Sequence, residues 1–308
     1  MRRYRDFNSY LRECFGERVQ KISLDAGLGC PNRDGTLSSK GCIYCDHRGS
    51  GSGAYLEGGL SVEEQLRRGA LFASRRYGAR KFIAYFQSFT NTYAPVSVLR
   101  SLYERALAYP GVVGISVGTR PDCVDDDVLD LLASFRDRFM VWVEYGLQSA
   151  HDETLRAINR GHDTACFERA VKETALRGLN VCAHIILGLP RESREMMRQT
   201  ACFVAGLPVS GLKIHGLYVT AGTTLARQYR EQRFSCLDRE TYVDIVVDVL
   251  ERVPESVVIQ RLTGDPPPGL DLVAPEWAGD KRLLLRRIRE RLEERDSRQG
   301  ERCGDQTC

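Results

Sequence analysis

No stretch of this chain approaches the ~20 consecutive apolar residues that a membrane-spanning helix needs. The opening Met1-Arg2-Arg3-Tyr4-Arg5-Asp6 leads into more polar sequence, not into the apolar run of a secretory signal. An excess of either charge is also lacking: 44 Lys and Arg stand against 41 Asp and Glu, a net charge of +3. Bulk charge therefore demands no polyanionic partner, and any nucleic-acid argument has to rest on local patches. A Gly-x-Gly-x-x-Gly turn after the first β-rich run is missing, which removes the main signal for a dinucleotide fold. The 11 cysteines are odd in number and scattered through 308 residues, unlike the framework of a small secreted domain. These absences predict a cytoplasmic protein in a reducing compartment, with a few thiolates on metal and the others in the core.

What is present is an alternation. With 43% hydrophobic and 28% charged residues the chain can bury one large core. Short β-branched runs at Val19–Asp25, Lys81–Gln87, Val112–Gly118, Met140–Gly146, Asn180–Leu187 and Gly211–Tyr218 are separated by helical patterns at about 61–77, 96–108, 125–137, 163–177 and 193–206. Ser61-Val62-Glu63-Glu64 has the form of a capping box. A helix near 238–252 and a strand near Val257–Leu262 extend the series. Repeated βα units predict a parallel sheet, and six are too few for a closed eight-unit barrel. The expected fold is α/β, a partial (βα)6 TIM-type barrel over 19–220, with a basic N-terminal helical segment at 1–18 and a C-terminal αβ extension at 221–296. Thr263–Asp280, rich in proline, is expected to lack regular structure, and 297–308 is expected to be a disordered tail.

Directly after the first strand come Cys30-Pro31-Asn32-Arg33-Asp34-Gly35-Thr36 and then Cys42-Ile43-Tyr44-Cys45, a C-x11-C-x2-C arrangement. Thiolates are the ligands iron–sulfur clusters prefer, and three of them leave one iron open to an outside ligand. Two other readings stand beside this one. Cys30, Cys42, Cys45 and His47 could close a structural zinc site, or the three cysteines could be unligated core. Location favours a reactive cofactor, because the C-terminal end of a barrel strand is where catalytic loops gather.

The three-cysteine loop resembles that of the radical S-adenosylmethionine (SAM) superfamily, in which the usual spacing is C-x3-C-x2-C. The longer first gap here, with Leu24-Asp25-Ala26-Gly27 ahead of it, is similar to an uncharacterised bacterial subfamily related to the elongator catalytic subunit. Gly118-Thr119-Arg120-Pro121-Asp122, Glu144-Tyr145-Gly146-Leu147-Gln148-Ser149, Asn159-Arg160-Gly161-His162 and Ile186-Leu187-Gly188-Leu189-Pro190 resemble segments of the same group at successive strand ends. The resemblance implies a [4Fe–4S] cluster on Cys30, Cys42 and Cys45, and reductive cleavage of SAM to a 5′-deoxyadenosyl radical. It implies SAM contacts among Gln87, Ser88, Arg120, Glu144, Gln148, Arg160 and Gly188. Glu144 and Gln148 are the candidates for ribose and methionyl contacts, and Arg120 and Arg160 could pair with a carboxylate or a phosphate. It further implies a reductant such as flavodoxin or ferredoxin, and a transfer RNA substrate modified at a wobble uridine.

Arg2, Arg3, Arg5, Arg12, Arg18 and Lys21, interleaved with Tyr4, Phe7 and Tyr10, are either a phosphate-and-stacking surface or an amphipathic helix packed on the barrel bottom. His184 and His215 either face the barrel interior and touch substrate or are satisfied core or rim histidines. The Gly49-Ser50-Gly51-Ser52-Gly53 run is either a connector or a loop over the cofactors. A zinc-stabilised RNA-binding module and an iron–sulfur scaffold without SAM cleavage are the competing functions.

Overall fold

A computed structural model describes residues 2–47, 49, 59–264, 266 and 271–304. In chain order its elements are α1 (Phe7–Phe15), β1 (Val19–Leu24), α2 (Val62–Tyr77), β2 (Lys81–Phe86), α3 (Val96–Leu107), β3 (Val112–Thr119), α4 (Asp126–Ala133), β4 (Met140–Gln148), α5 (Asp152–Ala157), α6 (Thr164–Leu176), β5 (Asn180–Leu187), α7 (Arg194–Ala205), β6 (Gly211–Gly216), β7 (Val219–Thr220), α8 (Thr224–Arg230), α9 (Arg239–Arg252), β8 (Val258–Arg261), β9 (Leu272–Ala274) and α10 (Lys281–Glu294). Seven strands make one parallel sheet in the order β1-β2-β3-β4-β5-β6-β8, a curled half-barrel. The strand near Val257–Leu262 forms as β8 and extends the main sheet beside β6.

The six expected strands and their helices form where the pattern placed them: the central strands are buried on both faces, and of the five helices between them all but α3, which begins at Pro95, start at a side-chain cap. Asp125, Asp163, Ser193 and Asp238 each accept from the backbone N–H three residues on, satisfying a donor that the first turn leaves open. At Ser61 only half of the capping box forms. Ser61 accepts from the Glu64 N–H at 3.3 Å, while the Glu64 carboxylate turns outward to Arg67 and Arg68, each at 2.7 Å.

Two expectations change, and one open alternative is resolved. Thr263–Asp280 is not without regular structure: β9 pairs antiparallel with β7, which offers it a free edge. The tail is fixed through 304. Gln299 donates to Pro254 O at 2.7 Å and Val257 O at 2.8 Å and accepts from the Arg5 N–H at 2.9 Å, while Ser297 donates to buried Glu251 at 2.8 Å. Of the two readings of the N-terminal segment, the packed helix holds. Phe7 and Tyr10 meet Trp142 edge-on, and Lys21 points into the barrel toward Glu144, so these groups are not free to stack on bases. No helix among the described residues is long and apolar enough to cross a membrane.

Candidate active site

A cavity of about 590 Å³ opens where the strands end, and Cys30, Cys42 and Cys45 all line it. The 11-residue gap does not separate them, because it folds back on itself. Gly41 N–H reaches Asn32 O at 2.7 Å, and Cys30 O accepts from the Arg33 and Asp34 N–H groups at 2.9 and 3.2 Å. Asn159 then fastens the gap to the far side of the barrel: its Nδ2 donates to Gly41 O, and its own carbonyl accepts from Asn32 Nδ2, both at 2.6 Å. The segment Asn159-Arg160-Gly161-His162 is thus the clasp for the cysteine loop. His47 is exposed and does not line the cavity, which leaves the zinc reading without its fourth ligand there. Apart from Gly49, which lines the cavity, the glycine and serine run lies outside the described residues.

Donors surround the sulfurs. Asn32 Nδ2 lies 3.5 Å and Arg160 Nη1 3.6 Å from Cys42 Sγ, and Arg33 Nη1 lies 3.4 Å from Cys45 Sγ. Arg160 is nearly buried, with Nε and Nη2 on Gly146 O at 3.2 and 2.8 Å, and it fits because residue 146 has no side chain. A Cβ there would come within 2.6 Å of Arg160 Nη2 and 2.4 Å of Gln148 Nε2. Gly161, at φ +80°, likewise leaves room for Arg120 and Asn32.

Of the other predicted contacts, Gln87, Arg120, Glu144, Gln148 and Arg160 line the cavity. Ser88 and Gly188 do not: Ser88 is buried with its carbonyl on Asn91, and Gly188 N–H points at Met197 Sδ at 3.2 Å. Arg120 is 2% exposed and forks onto Asp122 at 2.7 and 2.9 Å, leaving its Nη1 buried with no partner.

Glu144 departs most from expectation. Its carboxylate is fully buried and accepts four donors, from Lys21, Ser116 and Lys213 and, at 2.8 Å, from His184 Nε2. Those donors occupy the lone pairs that a ribose diol would need, so Glu144 is the anionic centre of the barrel interior and not a free acceptor. Burial pushes it up, but the ammonium groups of Lys21 and Lys213 outweigh that and hold its carboxyl well below the usual range. Burial, with Lys213 alongside, pushes His184 down to about 4, so this imidazole is neutral. Glu144, Cys182 and His184 place ligand atoms within 4.8 Å of one another, yet the two ammonium groups already hold the carboxylate a metal ion would take. Ser116 and Lys213 were not singled out by sequence reasoning, and Lys21 was read only as part of the basic N-terminal segment. The signal for the two lysines was a charged residue at an inward position of a largely apolar strand.

Three free cysteines and the buried guanidinium groups of Arg120 and Arg160 thus meet around one cavity at the mouth of a half-barrel. Residues 27–204 match the Radical SAM superfamily and residues 209–294 the Radical_SAM C-terminal domain, and the chain belongs to that superfamily. It is an enzyme of a class that uses a [4Fe–4S] cluster and SAM. It is 44% identical over 302 residues to the uncharacterised protein YtqA of Bacillus subtilis, covering 97% of this chain and 92% of that one. Over 301 residues it is 36% identical to the uncharacterised protein MJ0486 of Methanocaldococcus jannaschii, covering 97% and 92%. The structure of an N-terminally truncated Elp3 from Methanocaldococcus infernus shares the fold, with a TM-score of 0.69 at 17% identity. That match covers 92% of this chain but only 64% of the Elp3 chain.

Proposed function

We propose that Cys30, Cys42 and Cys45 hold a [4Fe–4S] cluster with one open iron, at which the enzyme binds and reductively cleaves SAM. The observation that carries this reading is the convergence of three free cysteines on one cavity wall with N–H donors on two of their sulfurs. When bound, the cluster supplies one electron to the sulfonium of SAM, drawn from a reductant such as flavodoxin or ferredoxin. The chain's own residues do the rest. Arg33, Asn32 and Arg160 stabilise negative charge on the sulfurs, and the unpartnered Nη1 of Arg120 is the group suited to an amino-acid carboxylate. Gln148 and Gln87, uncharged and on the same wall, are suited to the ribose and amino groups. The curled sheet and Glu144 floor exclude water from a reactive product.

The proposed substrate is a transfer RNA at its wobble uridine, supported by the strand-end segments shared with the elongator group and not by the N-terminal helix. Anaerobic reconstitution, then dithionite and SAM, tests the chemistry: brown protein that releases 5′-deoxyadenosine supports it, and brown protein that does not is a scaffold. Bulk transfer RNA from cells with and without the gene tests the substrate, through a wobble nucleoside that disappears on deletion.

A further inference from the structure

The inner end of the cavity, beyond the cysteine wall, carries a charge imbalance. Lys21, Lys213 and Arg261 bring three cationic side chains there, against the single carboxylate of Glu144. The neighbouring groups do not restore balance. Burial pushes the Cys182 thiol up to about 12 and the Tyr85 phenol well above its usual value, so neither is an anion at neutral pH. Burial pushes His184 and His215 down, so neither carries charge there. Lys213 is pulled by burial to about 7, yet even its neutral form leaves Lys21 to balance Glu144 and Arg261 with no counter-charge.

The two lysines are engaged. Both donate to Glu144, Lys213 also to Tyr85 Oη at 3.0 Å, and Lys21 to Gln260 Oε1 at 2.8 Å. Arg261, at the end of β8, lines the cavity, and its guanidinium makes no hydrogen bond or ion pair with any described residue. His215, on β6 beside it, also lines the cavity, and its Nε2 is buried with no partner. A buried polar atom without a partner, such as His215 Nε2, is costly unless a ligand completes it, and the half-buried guanidinium beside it has no counter-charge. A planar guanidinium fork matches the two oxygens of an oxyanion, and the adjacent imidazole can donate to one of them from Nε2 in the tautomer that carries its proton there.

We propose that the inner end of the cavity is an oxyanion subsite, in which Arg261 and His215 hold a carboxylate or phosphate group of the substrate and aim the rest of it at the cysteine wall. This deepens the enzyme reading and rests on it. Carboxylate and phosphate share the chemistry that Arg261 recognises, and titration separates them.

Anaerobically prepared holoprotein is titrated by calorimetry with succinate and, separately, with inorganic phosphate, alongside Arg261→Gln, Arg261→Lys and His215→Asn. The wild type is expected to bind one of the two saturably, and the tighter one names the source. Arg261→Gln should weaken it by about tenfold or more, with Arg261→Lys between, because charge is kept and the fork lost. His215→Asn gives a second, independent loss should Arg261→Gln fail to fold by circular dichroism. No saturable binding of either anion at tens of millimolar, or equal affinity in correctly folded variants, overturns the proposal. The same wild-type batch is assayed for iron and for 5′-deoxyadenosine. Anion binding without SAM cleavage sinks the enzyme reading alone, and SAM cleavage without anion binding sinks the subsite alone.

Discussion

Glu144 decides how the barrel interior is read. A carboxylate with no exposure and four donors is stable only while its cations remain, and those cations only while it does. Glu144→Gln keeps the shape and strands Lys21 and Lys213, so it should cost about 3–5 kcal/mol in urea unfolding. A change under about 1 kcal/mol would mean the cluster is solvated. His184 gives a pH signature. Its pKa falls from 6.5 to about 4 on folding, through burial first and Lys213 second, with the side chain 16% exposed. Between those values the unfolded chain takes up a proton that the folded chain refuses, so stability drops as pH falls from 6.5 to 4, by up to about 3 kcal/mol. Urea midpoints across that window should fall more steeply for the wild type than for His184→Gln, and parallel curves would contradict the assignment.

At the scale of elements, the C-terminal helix is held by charge as much as by its apolar face. Leu284, Ile288 and Leu292 of α10 are buried, and beside them Asp248 of α9, 3% exposed, accepts from Arg295 at 2.8 Å and from Arg194 of α7 at 2.7 Å. Asp248→Ala removes the anion shared by three elements and should cost about 1–3 kcal/mol, the arginines being partly hydrated. Proteolysis within α10 would quicken in step, and an unchanged unfolding midpoint would show α10 held by its leucines alone. Elements of this kind were legible in the sequence because strand and helix periods differ and the caps are punctual: Asp163 and Ser193 start helices within a residue of expectation. What escaped depended on partners distant in sequence. Pairing of β9 with β7, the Gln299 anchor and the outward turn of Glu64 each need a neighbour that no local pattern reveals. The same holds for the site: the cysteines stood out by spacing, whereas Arg33, Asn32, Lys213 and Arg261 acquire meaning only when strands bring them together.

The molecule as a whole is a half-barrel whose mouth carries cysteines and guanidinium groups and whose interior holds Glu144 among its cationic donors, next to the unpaired guanidinium of Arg261. Five of the seven strands contribute to this gradient from soft ligands to hard charge: β1 the cysteine loop, β3 Arg120, β4 Gly146 and Gln148, β6 and β8 the inner cations. That arrangement suits one reactive centre at the rim acting on a group held below it. The claim on which the rest depends is the open iron. Electron paramagnetic resonance of the anaerobically reconstituted, dithionite-reduced protein, recorded with and without SAM, tests it directly. The account predicts a cubane signal that changes shape on adding SAM and is lost in Cys42→Ala. A signal indifferent to SAM, or zinc in place of iron in oxygen-free protein, would contradict it.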